Sequence, residues 1–287
     1  MSAIESLLAG LIDYAGLYPP AALDMHTAVR NYADYSRSRH SSALGRFLVD
    51  VNRLTELREV AGDSRRLLRL SVIASLSTDW DGLAGLLQED PTIESIEIKI
   101  DPRAKRERVG RRIPAGLTTY FEVAWDAPVS ETLTTIEAVA ALGARVKLRM
   151  GGVVAGAFPA APMVARMIHA LADRRMPFKA TAGLHHAIRS RHALTYEPDS
   201  PSGLMHGFLN LACSAALLYF GGDVSQAILL LEEQDPGAWQ VTAGGIGWRS
   251  FRWSAEELRL VRERFMTSFG SCSFTEPIHD LEVLGWL

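Results

Sequence analysis

Between residues 45 and 182 the chain repeats one pattern: short runs that alternate charged and apolar residues, separated by stretches of helical periodicity. In residues 95–100, Ile96, Ile98 and Ile100 share one face of a strand while Glu97 and Lys99 share the other. Tyr120 and Glu122 oppose Phe121, Val123 and Trp125 in the next run, and Arg145, Lys147 and Arg149 then oppose Val146, Leu148 and Met150. Lys179 and Thr181 oppose Phe178 and Ala180, and earlier Arg46 and Asp50 oppose Phe47 and Val49. In an antiparallel sheet such alternation means only that one face is wet. Interleaved helices instead imply a parallel sheet, which is covered on both faces. The charged face is then enclosed, where charges are costly unless they are paired or used.

Eight strand candidates follow from this periodicity: residues 11–16, 45–51, 69–75, 95–100, 118–125, 145–150, 177–182 and 268–274. Helical stretches lie between them at 23–36, 54–60, 80–88, 130–142 and 160–175, with Ser130 as the expected cap of the fourth. In the last, Val164, Met167, Ile168 and Leu171 follow the i, i+3, i+4, i+7 rule. Eight strands in 287 residues predict an α/β fold of the (β/α)8 TIM-barrel type. An open doubly wound sheet is the rival, and no G-x-G-x-x-G follows an early strand to support its dinucleotide-binding form. One segment breaks the rhythm. Residues 185–264 hold a polar loop (190–203), an apolar helix (204–220), a second helix (224–233) and a Gly- and Trp-rich piece (239–253). They read as an insertion after strand 7 in a single domain spanning 1–287.

In a closed barrel the apolar faces meet the helices and the alternate residues point inward. The expected interior set is Glu97, Lys99, Glu122, Lys147, Arg149 and Lys179, while Arg46 and Arg145 close the opposite end. Lys147 and Lys179 sit at equivalent places one strand–helix–strand unit apart. A lysine beside a second cation and shielded from water loses proton affinity, and as a free amine it attacks carbonyl carbon to form a Schiff base. Glu97 or Glu122 would relay the protons. The plainer reading makes the same residues a satisfied ionic core. Each lysine is followed four residues later by a glycine, Gly151 or Gly183, which favours chemistry modestly.

Lys147 with Gly151-Gly152, a Pro-led helix and then Phe178-Lys179-Ala180-Thr181-Ala182-Gly183 resembles the sixth strand, helix and seventh strand of the deoxyribose-phosphate aldolases, a class I family. Leu11-Ile12-Asp13-Tyr14 with Pro19-Pro20-Ala21, Glu97, and Ser268-Phe269-Gly270-Ser271-Cys272-Ser273 are similar to further family stretches in the right order. The resemblance implies a TIM barrel, a Schiff-base Lys147, a pKa-lowering Lys179 and a proton relay at Glu97. It also implies that Asp13 and Gly183 contact substrate and that Gly270, Ser271 and Ser273 hold an anionic group. Arg149 stands among residues where the family has small hydroxyls, Glu97 replaces an aspartate, and Leu184-His185-His186 replaces part of a glycine pair. The fold therefore carries over further than the substrate. The expected function is a Schiff-base lyase on a small polar or anionic carbonyl compound, needing no cofactor, with Lys99, Arg149, His185 and His186 binding substrate.

Two alternatives stay open. Glu122 with His185, His186 or His206 could hold Zn²⁺ or Mn²⁺ in a metal-dependent lyase, isomerase or hydrolase, although no fixed ligand spacing supports it. The barrel could also bind a metabolite without catalysis. Arg189 is either surface or anion-binding, and Gly244-Gly245-Ile246-Gly247 reads as a tight turn. Cys272 lacks a base nearby in sequence and reads as buried packing. The two cysteines, Cys213 and Cys272, suggest a reducing, cytoplasmic setting without disulfides. With 30 basic and 33 acidic residues and no long run of one sign, nucleic acid is an unexpected partner. The most apolar stretch, 207–222, is too short for a membrane span. It reads as core, or as a contact in a homo-oligomer.

Overall fold

The computed structural model describes residues 2–75, 77–79, 83, 85, 90, 92–99, 116–123 and 129–287. Eight parallel strands close into a barrel. Seven come in chain order: β1 (Ile12–Tyr14), β2 (Leu44–Asp50), β3 (Leu70–Ser75), β4 (Ile93–Lys99), β5 (Thr118–Val123), β6 (Arg145–Arg149) and β7 (Phe178–Thr181). The insertion supplies β8 (Ser190–Ala193), β9 (Ser202–Met205), β10 (Trp239–Val241), β11 (Gly245–Trp248) and β12 (Phe251–Ser254) before the last barrel strand, β13 (Met266–Ser271). β13 pairs with both β7 and β1, so the sheet has no free edge. The fold is the expected (β/α)8 barrel, and the open doubly wound sheet is excluded by this closure.

The two strand faces behave as the alternation requires. Ile96, Ile98, Phe121, Val146, Leu148, Phe178 and Ala180 are all at most 1% exposed and belong to one continuous apolar core. The helix Ala161–Asp173, with Pro162 in its first turn, buries Val164, Met167, Ile168 and Leu171 in that core. The helix expected at 130–142 opens at Val129, so Ser130 falls inside it rather than ahead of it. The expected helix at 80–88, together with Ile100 and Trp125, lies largely outside the described residues.

The segment between β7 and β13 is richer in strands than its sequence suggests. The expected polar loop contains the antiparallel hairpin β8–β9, and the Gly- and Trp-rich piece is the three-stranded antiparallel sheet β10–β11–β12. Leu204 and Met205 end β9, and the apolar helix runs over Phe208–Tyr219. That helix buries Leu209, Leu211, Ala212, Ala215 and Ala216 completely or nearly so, as a core element does. Trp248 and Trp253 are also buried, which explains why this piece carries large side chains on short strands. Among the described residues no helix is long and apolar enough to cross a membrane.

Candidate active site

Register places the charged side chains side by side. Glu97 on β4 pairs with Tyr120, Glu122 on β5 pairs with Lys147, and Lys147 on β6 pairs with Lys179 on β7. Because partners in a parallel sheet point the same way, this ladder stacks carboxylates and ammonium groups inside the barrel.

Lys179 sits deepest. Its side chain has no exposure, and Nζ donates to Oδ2 of Asp13 at 2.6 Å and to Oε1 of Glu97 at 2.5 Å. Asp13 is saturated, since Oδ2 also accepts from Ser268 Oγ at 2.7 Å and Oδ1 from the Arg46 N–H at 2.7 Å. A Cβ on Gly45 would lie 2.3 Å from Asp13 Oδ1, so β2 approaches β1 here only because residue 45 is glycine. Ser71 Oγ donates to Glu97 Oε1 at 2.7 Å. Burial alone would lower the Lys179 ammonium, but Asp13 and Glu97 outweigh it and hold the group above its ordinary pKa. Burial likewise opposes ionisation of Glu97, yet Lys147 and Lys179 together hold its carboxyl well below the usual range. Lys179 is thus a fixed cation and Glu97 a fixed anion.

Lys147 lies one layer further out, with its side chain 6% exposed. Its Nζ is 2.7 Å from Oε2 of Glu97 and 3.0 Å from Oε2 of Glu122. The contact with Glu97 is an ion pair, and Oε2 has no hydrogen-bond partner among the described residues. Arg149 Nη1 stands 3.5 Å from the other oxygen of Glu122. Burial raises the Glu122 carboxyl, but Lys147 and then Arg149 bring it below its ordinary value.

Above this cluster opens a cavity of about 540 Å³, at the ends of the strands where barrel sites lie. Of the expected residues, Glu97, Lys99, Glu122, Lys147, Arg149, Gly183, His185, His186 and Gly270 line it. Four do not. Asp13 and Lys179 form the sealed layer below, so the expected substrate contact of Asp13 is replaced by an ion pair that orders Lys179. Ser271 Oγ accepts from the Ser273 N–H at 3.3 Å, and Ser273 Oγ accepts from the Glu276 N–H at 3.1 Å. These two serines shape the turn into the last helix and do not face the cavity. The turn also brings the Glu276 carboxylate to the wall, which disfavours the anion expected there.

The glycines after the lysines have a packing reason. Gly183 has φ +67°, and its Cβ would lie 2.9 Å from Gly151 Cα and 2.7 Å from Phe158. The loops after β6 and β7 touch through these two glycines, with Phe158 wedged against both.

The histidines separate. His206 is fully buried and does not line the cavity; one ring nitrogen faces the Pro159 carbonyl at 2.7 Å and the other Arg189 Nη1 at 3.0 Å. It therefore cannot join Glu122 and the His185–His186 pair around one metal, and Arg189 is occupied as well. Among the described residues no group of three His, Cys, Asp or Glu side chains is placed to hold a metal ion. His186 Nδ1 is 3.1 Å from Asp280 Oδ2, and its ring stacks on His192 of β8 with centroids 3.3 Å apart. Through His192 and Tyr196 the β8–β9 hairpin becomes part of the cavity wall.

Sequence reasoning missed three wall residues. Tyr18 points a buried hydroxyl with no hydrogen-bond partner among the described residues, and its only sequence signal was proximity to the Pro19-Pro20 stretch. Glu276 Oε2 lies 2.7 Å from Nδ1 of His185. Cys272, read as mere packing, has His185 Nε2 3.9 Å from its Sγ. Residues 185 and 272 are remote in sequence, but they follow neighbouring strands once β7 pairs with β13.

No family model and no curated protein sequence matches the chain. Among solved structures it is similar to FabK from Thermotoga maritima, with 16% identity over 65% of this chain and a TM-score of 0.39. The match spans 56% of the FabK chain.

Proposed function

We propose that the barrel is a Schiff-base-forming, aldolase-like lyase acting on a small polar or anionic carbonyl compound, with Lys147 as nucleophile. One observation carries this reading: of the two register-paired lysines, only Lys147 reaches the cavity, and it does so between two carboxylates. When a carbonyl compound enters, Lys147 passes a proton to Glu122 and the free amine adds to the carbonyl carbon. The added oxygen takes up the proton lost from nitrogen, and Glu122 returns its own proton as that oxygen leaves as water. The resulting iminium draws in the electrons of the Cα–Cβ bond to form an enamine, while a carboxylate removes the proton of the β-hydroxyl and the β-carbon leaves as the first carbonyl product. Reprotonation of the enamine and attack by water release the second product and restore Lys147.

Lys179 balances the charge of Glu97 from below, which leaves Glu122 as the exchanging partner of Lys147. Lys99 and Arg149, at the ends of β4 and β6, provide positive charge for an anionic group on the substrate. His185 and His186 add to the wall from the loop after β7, and Tyr18 offers an O–H to a substrate oxygen.

The experiment is an intact-mass measurement after incubation with small aldehydes, ketones and 2-oxo acids in the presence of borohydride. A stable single adduct that Lys147→Met abolishes supports the lyase. No adduct across the panel, with no cleavage of any hydroxy-carbonyl compound, favours a binding barrel whose charges are merely paired.

A further inference from the structure

The cavity holds a second nucleophile that the lysine chemistry leaves unused. Cys272 follows β13, is 5% exposed and lines the cavity wall. Its Sγ is 3.9 Å from Nε2 of His185, and Nδ1 of the same ring is 2.7 Å from Oε2 of Glu276. Tyr196, on the loop joining β8 and β9, directs its hydroxyl to that carboxylate at 3.1 Å and lies 3.7 Å from the sulfur. Each member comes from a different segment: His185 from the loop after β7, Cys272 from the turn after β13, and Glu276 from the first turn of the helix Thr275–Val283. A nucleophile within reach of a base, itself oriented by a third group, is the arrangement that activates a side chain for covalent catalysis.

The other cysteine provides a contrast inside the same molecule. Cys213 has no exposure, sits within the helix Phe208–Tyr219 and lines no part of the cavity, and burial pushes its thiol up.

We propose that Cys272, His185 and Glu276 form a nucleophilic triad that accepts an acyl group from a small activated carboxylic ester or thioester. His185 Nε2 takes the thiol proton as Sγ bonds to the acyl carbon. The C–O or C–S bond to the leaving group breaks, and His185 returns the proton to the departing oxygen or sulfur. Water then adds to the thioester with His185 as base, releasing the carboxylic acid and the free thiol. A soft thiol serves acyl carbon while the amine of Lys147 serves aldehydes and ketones, so the two groups give one cavity two electrophile classes.

The groups facing the pair are Glu276 from the last helix, Tyr196 from the hairpin loop, His186 in the same loop as His185, His192 of β8 and Tyr14 of β1. Burial lowers the imidazole of His185, but Cys272 and Glu276 outweigh it and raise the group to about 9. The neutral ring that takes the thiol proton is thus the minor form at pH 7, so acylation of Cys272 is expected to speed up as pH rises toward 9.

The test treats the native protein with p-nitrophenyl acetate and, separately, with limiting iodoacetamide, and maps both products by mass. The expected result is a burst of one equivalent of nitrophenolate, one acetyl group on Cys272, and Cys272 alkylated about a hundredfold faster than Cys213. Glu276→Gln and His185→Gln are expected to slow both reactions about tenfold or more while the circular dichroism spectrum keeps its shape. Should either variant fail to fold, the nitrophenolate burst and the site of acetylation in the unaltered protein still decide. Acetyl groups on Lys147 or surface lysines in place of Cys272, or equally slow alkylation of both cysteines, overturn the proposal.

Discussion

Lys147 and Lys179 are register partners on adjacent strands, yet the barrel puts them in different environments. Lys179 has no exposure and is held by Asp13 and Glu97; Lys147 meets Glu97 and Glu122 at the cavity floor. On the proposed reading the lower layer of charges is structural and the upper is available for chemistry. Replacing Lys179 tests the first half of that statement. Lys179→Met strands two buried carboxylates and is expected to cost about 3–5 kcal/mol in urea unfolding, against a clearly smaller loss for Lys147→Met. Equal losses for the two variants would contradict the layering.

Acid stability should follow Glu97. Its carboxyl titrates lower in the fold than the ordinary 4.5, so its contribution is fully present above that value and is lost as pH falls through the lower folded one. Unfolding free energy is expected to drop steadily below about pH 4.5, and Glu97→Gln should show a shallower drop from a lower starting point. An unchanged slope would mean that other carboxylates dominate.

The barrel was legible because its charges sit at period two in strands interleaved with helices, a combination that leaves the charged face no exit to solvent. Glu97, Glu122, Lys147 and Lys179 could be placed on one face from that rule alone. Asp13 was visible only through resemblance, since β1 is three residues long and buried throughout, without alternation. The strands of the insertion were hidden for a different reason. Ser190–Ala193 and Ser202–Met205 carry mixed small and polar residues whose pairing is set by the hairpin itself. The His185–Cys272 contact was hidden by sequence separation. It becomes predictable only when strands seven and eight of the barrel are taken as neighbours, which their closure requires.

Gly183 is expected to matter for packing before it matters for ligand. Its positive φ and the approach of its Cβ position to Gly151 make Gly183→Ala destabilising by about 1–3 kcal/mol, measured as a shift in the urea midpoint. A midpoint equal to the parent protein would show that the two loops separate freely.

Alkaline stability should report on His185. Its folded pKa of about 9 lies above the ordinary 6.5, so the contribution is complete below 6.5 and disappears as pH rises through about 9. Unfolding free energy is expected to decline across that window, and His185→Gln is expected to flatten the decline. A parent profile already flat between these values would place the proton elsewhere.

The central claim is that Lys147 is the carbonyl-reactive lysine. Borohydride reduction with a small aldehyde or 2-oxo acid, followed by peptide mass mapping, asks this directly. The account predicts a single reduced adduct on the peptide carrying Lys147, with Lys179 unmodified beneath it. An adduct on Lys179, or labelling confined to surface lysines, would contradict it.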